Sequence, residues 1–450
     1  MTAEWTEHVM WWHVYPLGFV GAPIRPERPE HPEAPAPDLP VHRLPAIEGW
    51  LDHVIELGLN GLLLGPVFAS TTHGYDTIDH DRIDDRLGDD ADFDHLVATA
   101  REKGIRVLLD GVFNHVGREH ALFRHVEENG PDSPHAALFR IDRTGWQPGQ
   151  PVAAEVFEGH DALVALNHDA PEVVDLVVGI LSHWLDRGID GWRLDAAYAV
   201  PAAFWREVLP RVRERHPEAW FTGEVIHGAD AELAERSTID SFTQYELWQA
   251  TWHGIVDRNL FELAHALDRH DALLESYVPS TFVGNHDVTR IASAVGEQYV
   301  GHTLAVLFTV AGVPSIYAGD EYGWTGVKEE RIGGDDAVRP AFPPAPPAES
   351  ELPPPGARIL GQHRQLIALR RRHAWLHHAR TTAVGIANET LTFRTVAADS
   401  SEALLTALNL SDVPLRVEAP GSASVAAGTA TREGGAFVVP AREWAVIEVS

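Results

Sequence analysis

An alternation narrows the fold of this chain more than any other feature. Short apolar runs at 61–65, 105–110, 189–195, 219–224, 280–283 and 313–317 interleave with longer stretches at 47–57, 93–102, 172–185, 204–215, 260–267 and 301–309. The longer stretches carry apolar residues three and four apart, which lines one face of a helix, whereas the short runs suit strands buried on both sides. Repeated βα units predict a parallel sheet, either open or closed into a barrel. A bare barrel needs roughly 250 residues, and this region is longer, so inserted loops are expected. Two proline-rich segments, 22–45 and 339–355, read as loops, because proline fixes φ and removes a backbone donor. Past about residue 375 the pattern changes to short β-type runs at 386–394, 403–410, 415–418 and 443–449, which predicts a small antiparallel domain.

Composition removes several classes of function. With 35 basic and 66 acidic residues the chain carries a net charge of −31, so electrostatics repel it from nucleic acids and anionic membranes. It has no cysteine, which excludes disulfides, thiolate metal sites and a cysteine nucleophile. Its only lysines, Lys103 and Lys328, lack the context of a phosphate-binding loop. The first 21 residues lack the basic start and small-residue cleavage site of a secretory signal, and no apolar run reaches membrane-spanning length. A cytoplasmic protein is therefore expected. The acid-dense stretch 79–94 lacks EF-hand spacing and reads as an exposed βα connection. The 26 histidines show no zinc-ligand spacing and read mostly as surface residues.

The acids that matter stand at strand ends. Asp110, Asp195 and Glu224 each terminate an apolar run, and Asp287 follows one closely. In parallel α/β folds the carboxyl ends of the strands form the ligand face. Any one of these acids alone reads equally well as a helix cap. Four in matching positions, with Arg193 two residues before Asp195 and with His115 and His286 nearby, point to one converging site.

At these four places the chain resembles the α-amylase family, glycoside hydrolase family 13. The motifs are Asp110-Gly-Val-Phe-Asn114-His115, Gly191-Trp-Arg193-Leu-Asp195, Gly223-Glu224-Val225 and Phe282-Val-Gly-Asn285-His286-Asp287, with supporting matches at His73-Gly-Tyr75-Asp76 and Leu166-Asn167. The resemblance implies an α/β fold: a (β/α)8 TIM barrel (1–114 and 169–375), a short inserted B domain (115–168) and a C-terminal antiparallel β domain (376–450). It also implies retaining hydrolysis of α-glucosidic bonds, mainly α-1,4, in malto-oligosaccharides, cyclodextrins or related small α-glucans. Asp195 would be the nucleophile, kept ionised by Arg193, and Glu224 the acid and base with a raised pKa. Asp287 would hold two sugar hydroxyls. His115 and His286 would donate to hydroxyls, and Tyr75 would stack beneath the sugar. Asp110 and Asp76 would support the site, while Asp335 and Arg339 would meet a second sugar.

The departures refine the expectation. Starch-degrading members commonly carry Lys-His where this chain has Tyr198 and Ala199, so a lysine contact to the leaving side is absent. No cofactor is expected to be required; calcium is left open only through Asn114, one donor for an ion that wants six to eight oxygens. The stretch from Asp110 to Gly117 is similar to the cyclomaltodextrinase and neopullulanase group, yet the first barrel strand is expected by about Trp11, without that group's N-terminal β-domain. A transglycosylase or sugar isomerase using the same triad, and a non-catalytic sugar-binding relative, stand as the alternatives. No nucleic-acid or membrane partner is expected.

Overall fold

The computed structural model describes residues 3–25, 40–148, 150, 152–228 and 231–449. Most of the first proline-rich segment, residues 26–39, lies outside them. Eight parallel strands form one sheet: β1 (Trp11–Val14), β2 (Gly61–Leu64), β3 (Arg106–Val112), β4 (Gly191–Asp195), β5 (Trp220–Gly223), β6 (Ser241–Phe242), β7 (Ser280–Phe282) and β8 (Val313–Tyr317). Each strand pairs with its sequence neighbour, and β8 returns to β1. Between β6 and β7 the contact is a single parallel bridge, Thr243 to Ser280, with Gln244 N–H donating to the Ser280 carbonyl at 2.9 Å. The sheet is thereby closed into a barrel.

Helices cover the outside, among them α1 (Leu51–Leu57), α2 (Asp90–Glu102), α3 (Pro171–Asp186), α4 (Ala202–Arg215), α5 (Leu260–Leu273), α6 (Val300–Thr309) and α7 (Pro354–Arg372). The α2 helix begins with a reciprocal capping box between Asp89 and Asp92. The α7 helix starts inside the second proline-rich segment, which sequence reading left as loop. Proline is tolerated at the first helical turn, where its missing N–H would have had no partner. The acid-dense connection after β2 also differs from expectation. It contains a strand, Thr77–Ile83, paired with Phe68–Ser70, and both His80 and Asp84 are buried in it.

Between β3 and α3 the chain leaves the barrel. Strand His115–Gly117 pairs antiparallel with Leu163–Ala165, and these flank helix Ala121–Asn129. At the C-terminus five strands in one antiparallel sheet and three in another stack over a small core that includes Leu405, Val417, Phe437 and Ile447.

Strand register sets what the barrel encloses. Side chains two residues apart on a strand share a face. Trp11, Leu63, Leu108, Trp220 and Val313 form one apolar interior cluster, with Trp11 stacked on Trp220 at 5.9 Å. Two residues further along β1, β3, β4 and β5 stand His13, Asp110, Arg193 and Thr222. Arg193 is in register with Asp110 on one side and Thr222 on the other. Two residues further again stand Asp195 and Glu224, at the carboxyl end.

Many histidines are not surface residues: among the described residues twelve are buried. Three of them donate to backbone carbonyls, His80 to Val112 (3.0 Å), His168 to Phe113 (2.9 Å) and His270 to Ala311 (3.0 Å). Burial lowers the pKa of all three, to about 4 for His270, so they are neutral.

Candidate active site

The site is built around one guanidinium. Arg193 Nη1 donates to both carboxylate oxygens of Asp110, at 2.7 and 2.6 Å, and to Asp195 Oδ1 at 3.1 Å. Its Nη2 lies 2.5 Å from Glu224 Oε1. Three buried carboxyls therefore divide a single positive charge. Burial is the largest influence on Asp195, and the neighbouring Glu224 adds to it; together they outweigh Arg193 and raise the Asp195 pKa well above the usual carboxylate range. Burial also raises Asp110, against the pull of Arg193. Arg193 pulls the Asp195 pKa down, as a neighbouring cation must, but it is shared by three acids, which leaves room for a proton among them.

Glu224 is the most fully hydrogen-bonded of the pair at the barrel mouth. Tyr245 Oη donates to its Oε1 at 3.1 Å, and the backbone N–H of Ala196 to its Oε2 at 3.2 Å. Asn285 Nδ2 in turn donates to Tyr245 Oη at 2.9 Å. Ala196 reaches Glu224 because it occupies the left-handed region, φ 45° and ψ 39°, immediately after Asp195. A non-glycine residue there is strained by about 1–3 kcal/mol, so the surrounding structure must impose the turn.

Asp287 faces them from the loop after β7. Burial favours its neutral form, but His286, Arg339 and Arg193 outweigh burial and hold its carboxyl well below the usual range. Arg339 Nη2 donates to Asp287 Oδ1 at 2.6 Å, its Nε donates to the His286 carbonyl at 2.9 Å, and it also pairs with Asp335 at 3.3 Å. Lys328 lies 3.6 Å from Asp335. The loop of Asp335 and Arg339 is thus brought to the same mouth, with Arg339 itself buried against Asp287.

The two site histidines have partners inside the protein. The Tyr75 carbonyl can only accept, so His115 Nε2 carries the proton and donates to it at 3.0 Å; Nδ1 then accepts from Asn114 Nδ2 at 3.2 Å. Burial lowers the pKa of His115 to about 4, and its ring stacks on Phe157 at 4.8 Å. His286 Nε2 is bonded to Tyr75 Oη and lies 3.0 Å from Asp287 Oδ2. His115 spends its one ring proton on the Tyr75 carbonyl, whereas His286 keeps a buried Nδ1 with no hydrogen-bond partner. Both rings help to fix Tyr75, and His286 also meets Asp287. Tyr75 Oη also donates to Asp110 Oδ2 at 3.1 Å, leaving the ring half-buried at the cleft wall. Asp76 serves the turn before it, accepting from Thr72 N–H at 3.1 Å and Thr72 Oγ1 at 2.8 Å.

Sequence reading missed Tyr15, which stacks on His286 at 5.8 Å and lies under the Arg339 guanidinium at 4.6 Å, and it missed Tyr245 and Trp248. The aromatic after β1 and the Gln-Tyr pair after β6 stand at strand ends, where a systematic search for non-acidic residues could have found them. The open cleft has a volume of about 510 Å³, and its lining includes His73, Tyr75, Asp287, Asp335 and Arg339 together with Glu158, Tyr198, Glu224, Ile226 and Trp248.

For calcium the donor set around Asn114 is poor: its amide is turned to His115, and positions 198 and 199 add no acidic side chain. Among the described residues, the cluster of His, Asp and Glu close enough to share an ion is His42, Asp89 and Asp92, whose acids already cap α2. These residues do not fit a resident cation at the site.

A closed parallel barrel with an insert after β3 and three carboxyls at its carboxyl mouth defines a glycoside hydrolase of the α-amylase family, and the chain belongs to it: residues 44–345 match the family described as "Alpha amylase, catalytic domain". The chain is 30% identical to a cyclomaltodextrinase of Geobacillus thermopakistaniensis over 438 residues, 93% of this chain and 72% of that protein. It is 34% identical to neopullulanase 2 of Thermoactinomyces vulgaris over 307 residues, 64% of this chain and only half of that protein. In three dimensions it resembles the cyclic α-maltosyl-(1→6)-maltose hydrolase of Arthrobacter globiformis, with a TM-score of 0.81 at 25% identity and full coverage of both chains. Among the described residues no helix is long and apolar enough to cross a membrane.

Proposed function

We propose that this chain hydrolyses α-glucosidic bonds, chiefly α-1,4, in short or cyclic gluco-oligosaccharides, with retention at the anomeric carbon. The observation that carries the reading is the pair Asp195 and Glu224 held on the two terminal nitrogens of Arg193, with Asp287 opposite. Retention needs a nucleophilic carboxylate and an acid close together on opposite faces of the bond. An oxygen of Asp195 attacks the anomeric carbon while the bond to the glycosidic oxygen breaks, and Glu224 gives that oxygen its proton. Water then loses a proton to Glu224, its oxygen bonds to the anomeric carbon, and the Asp195 carboxylate departs. The reacting form has the shared proton on Glu224 and Asp195 bare. Substrate favours it: sugar hydroxyls donate to Asp195, whereas a glycosidic oxygen can only accept and so selects a protonated Glu224. Asp287, held ionised by Arg339, takes hydroxyls of the reacting sugar against the half-buried Tyr75 face.

The test is a covalent label and a stereochemical readout. 5-Fluoro-α-glucosyl fluoride should leave its sugar on Asp195, located by mass spectrometry of peptides, and proton NMR should show the α-anomer first from maltotriose. A label elsewhere, or a β-anomer, sinks the assignment. Transfer in place of hydrolysis would show as longer oligosaccharides with little free glucose.

The same reading makes calcium dispensable, because the donors around Asn114 suit it poorly. Activity should survive EDTA with less than a twofold change, and a loss reversed by calcium refutes this. A cytoplasmic location goes with this reading, supported by the likeness to a relative named intracellular maltogenic amylase in Bacillus subtilis; activity confined to the medium or periplasm on cell fractionation overturns it.

A further inference from the structure

A hydrogen bond crosses the leaving-group side of the cleft, between two residues that no motif singled out together. Tyr198 Oη donates to Glu158 Oε1 at 3.0 Å. Tyr198 sits three residues past Asp195 in the turn Ala197–Ala199, which is tightened by Ala199 N–H donating to the Ala196 carbonyl at 2.9 Å. Glu158 belongs to the inserted segment, in the turn Phe157–Gly159, next to Phe157 on His115. The barrel and its insert are therefore joined across the cleft at this point.

The backbone of Glu158 supports a purpose for the bond. Glu158 lies at φ 49° and ψ 29°, in the left-handed region where a non-glycine residue is strained, and Gly159 after it also has a positive φ of 79°. The residue is exposed, so no core packing imposes the conformation. What the conformation does achieve is to aim the carboxylate at Tyr198. Glu158 and Tyr198 line the same cleft as Glu224, Ile226 and Trp248, and Tyr198 is close enough to feel the charges of Glu224 and Asp195.

We infer that the Glu158–Tyr198 bridge is a specificity element: it straps the leaving-group side of the cleft so that short and cyclic glucans are accepted and long linear chains are disfavoured. This rests on the hydrolytic reading above, because only the assignment of Asp195 and Glu224 tells the leaving side from the other. A polymer threading the cleft must pass the strap or open it, whereas a short leaving group ends within it.

Two single variants and their double test the strap. Tyr198→Phe keeps the ring and loses the hydroxyl; Glu158→Gly loses the carboxylate and frees the backbone. The readout is the ratio of kcat/KM on amylose to that on maltotriose. Turnover of α-maltosyl fluoride, whose leaving group is a single ion, normalises each variant for the integrity of the reacting centre. One hydrogen bond should change the ratio about fivefold in favour of amylose in either variant, and the double variant should go no further, since both remove the same bond. Ratios that stay at the wild-type value in both variants, or effects that simply add, overturn the strap alone. A wild-type protein that releases neither fluoride from α-maltosyl fluoride nor glucose from maltotriose overturns the hydrolytic reading and the strap with it.

Discussion

Asp320 offers the sharpest quantitative test of how the loop bearing Asp287 is held. It is buried just after β8, and its Oδ1 accepts from Arg290 Nη1 at 2.7 Å, while its Oδ2 has no hydrogen-bond partner. Arg290 also donates to the Ala318 carbonyl at 2.9 Å and lies 4.4 Å over the Tyr317 ring, but its Nε and Nη2 have no hydrogen-bond partners. A Cβ at Gly284 would stand 2.5 Å from Asp320 Oδ2, so the loop that leads to Asp287 is pressed onto this carboxyl. Burial raises the Asp320 pKa from 3.8 to about 7, with Arg290 opposing it. A carboxyl raised in the folded state contributes stability that is complete below its unfolded pKa and is lost as pH rises through the folded one. At 1.36 kcal/mol per pKa unit, the full loss is about 4 kcal/mol. Between pH 5 and pH 8 the wild type should lose about 2.5 kcal/mol of it, whereas Asp320→Asn cannot titrate. Urea unfolding followed by tryptophan fluorescence at the two pH values should therefore show the variant gaining about that amount on wild type. Stability curves that stay parallel from pH 5 to pH 8 refute the reasoning and make Asp320 an ordinary ionised partner of Arg290.

Two further predictions concern the reacting pair. Ala196 stands at φ 45°, where a β-branched side chain is strongly disfavoured and glycine is unstrained. Ala196→Val should lower kcat/KM roughly 10- to 100-fold by moving the N–H away from Glu224, while Ala196→Gly stays within about twofold; equal losses in both would show that backbone strain is not the cause. The raised Asp195 sets the acid limb of the pH profile. Because this carboxyl must be bare to attack, kcat/KM should fall as pH drops through a value above the free carboxylate range of about 4; a limb at or below that range refutes the shared proton.

How far the chain could be read without coordinates depended on the range of the interaction. The barrel strands β2 to β5 are continuous apolar runs and stand out, but β6 has two residues, Ser241–Phe242, too few for any period to show. Asp195, Glu224 and Asp287 were visible because each sits within a few residues of a strand end, a local feature. Their partners were not. Tyr245 acts on Glu224 from 21 residues away, Tyr15 packs on His286 from the other end of the barrel sheet's sequence, and Glu158 meets Tyr198 across 40 positions. The histidines illustrate the same division. Motif position brought out His115 and His286, but not their hydrogen bonds to Tyr75 and Asn114, which form only once the closed barrel brings the loops after β2, β3 and β7 to one mouth. The arginines complete it. Arg193 was legible as a neighbour of Asp195, but its register against Asp110 makes it a cation divided among three acids. That division moves the acid limb of the rate upward and leaves the proton for Glu224 to be placed by the substrate itself.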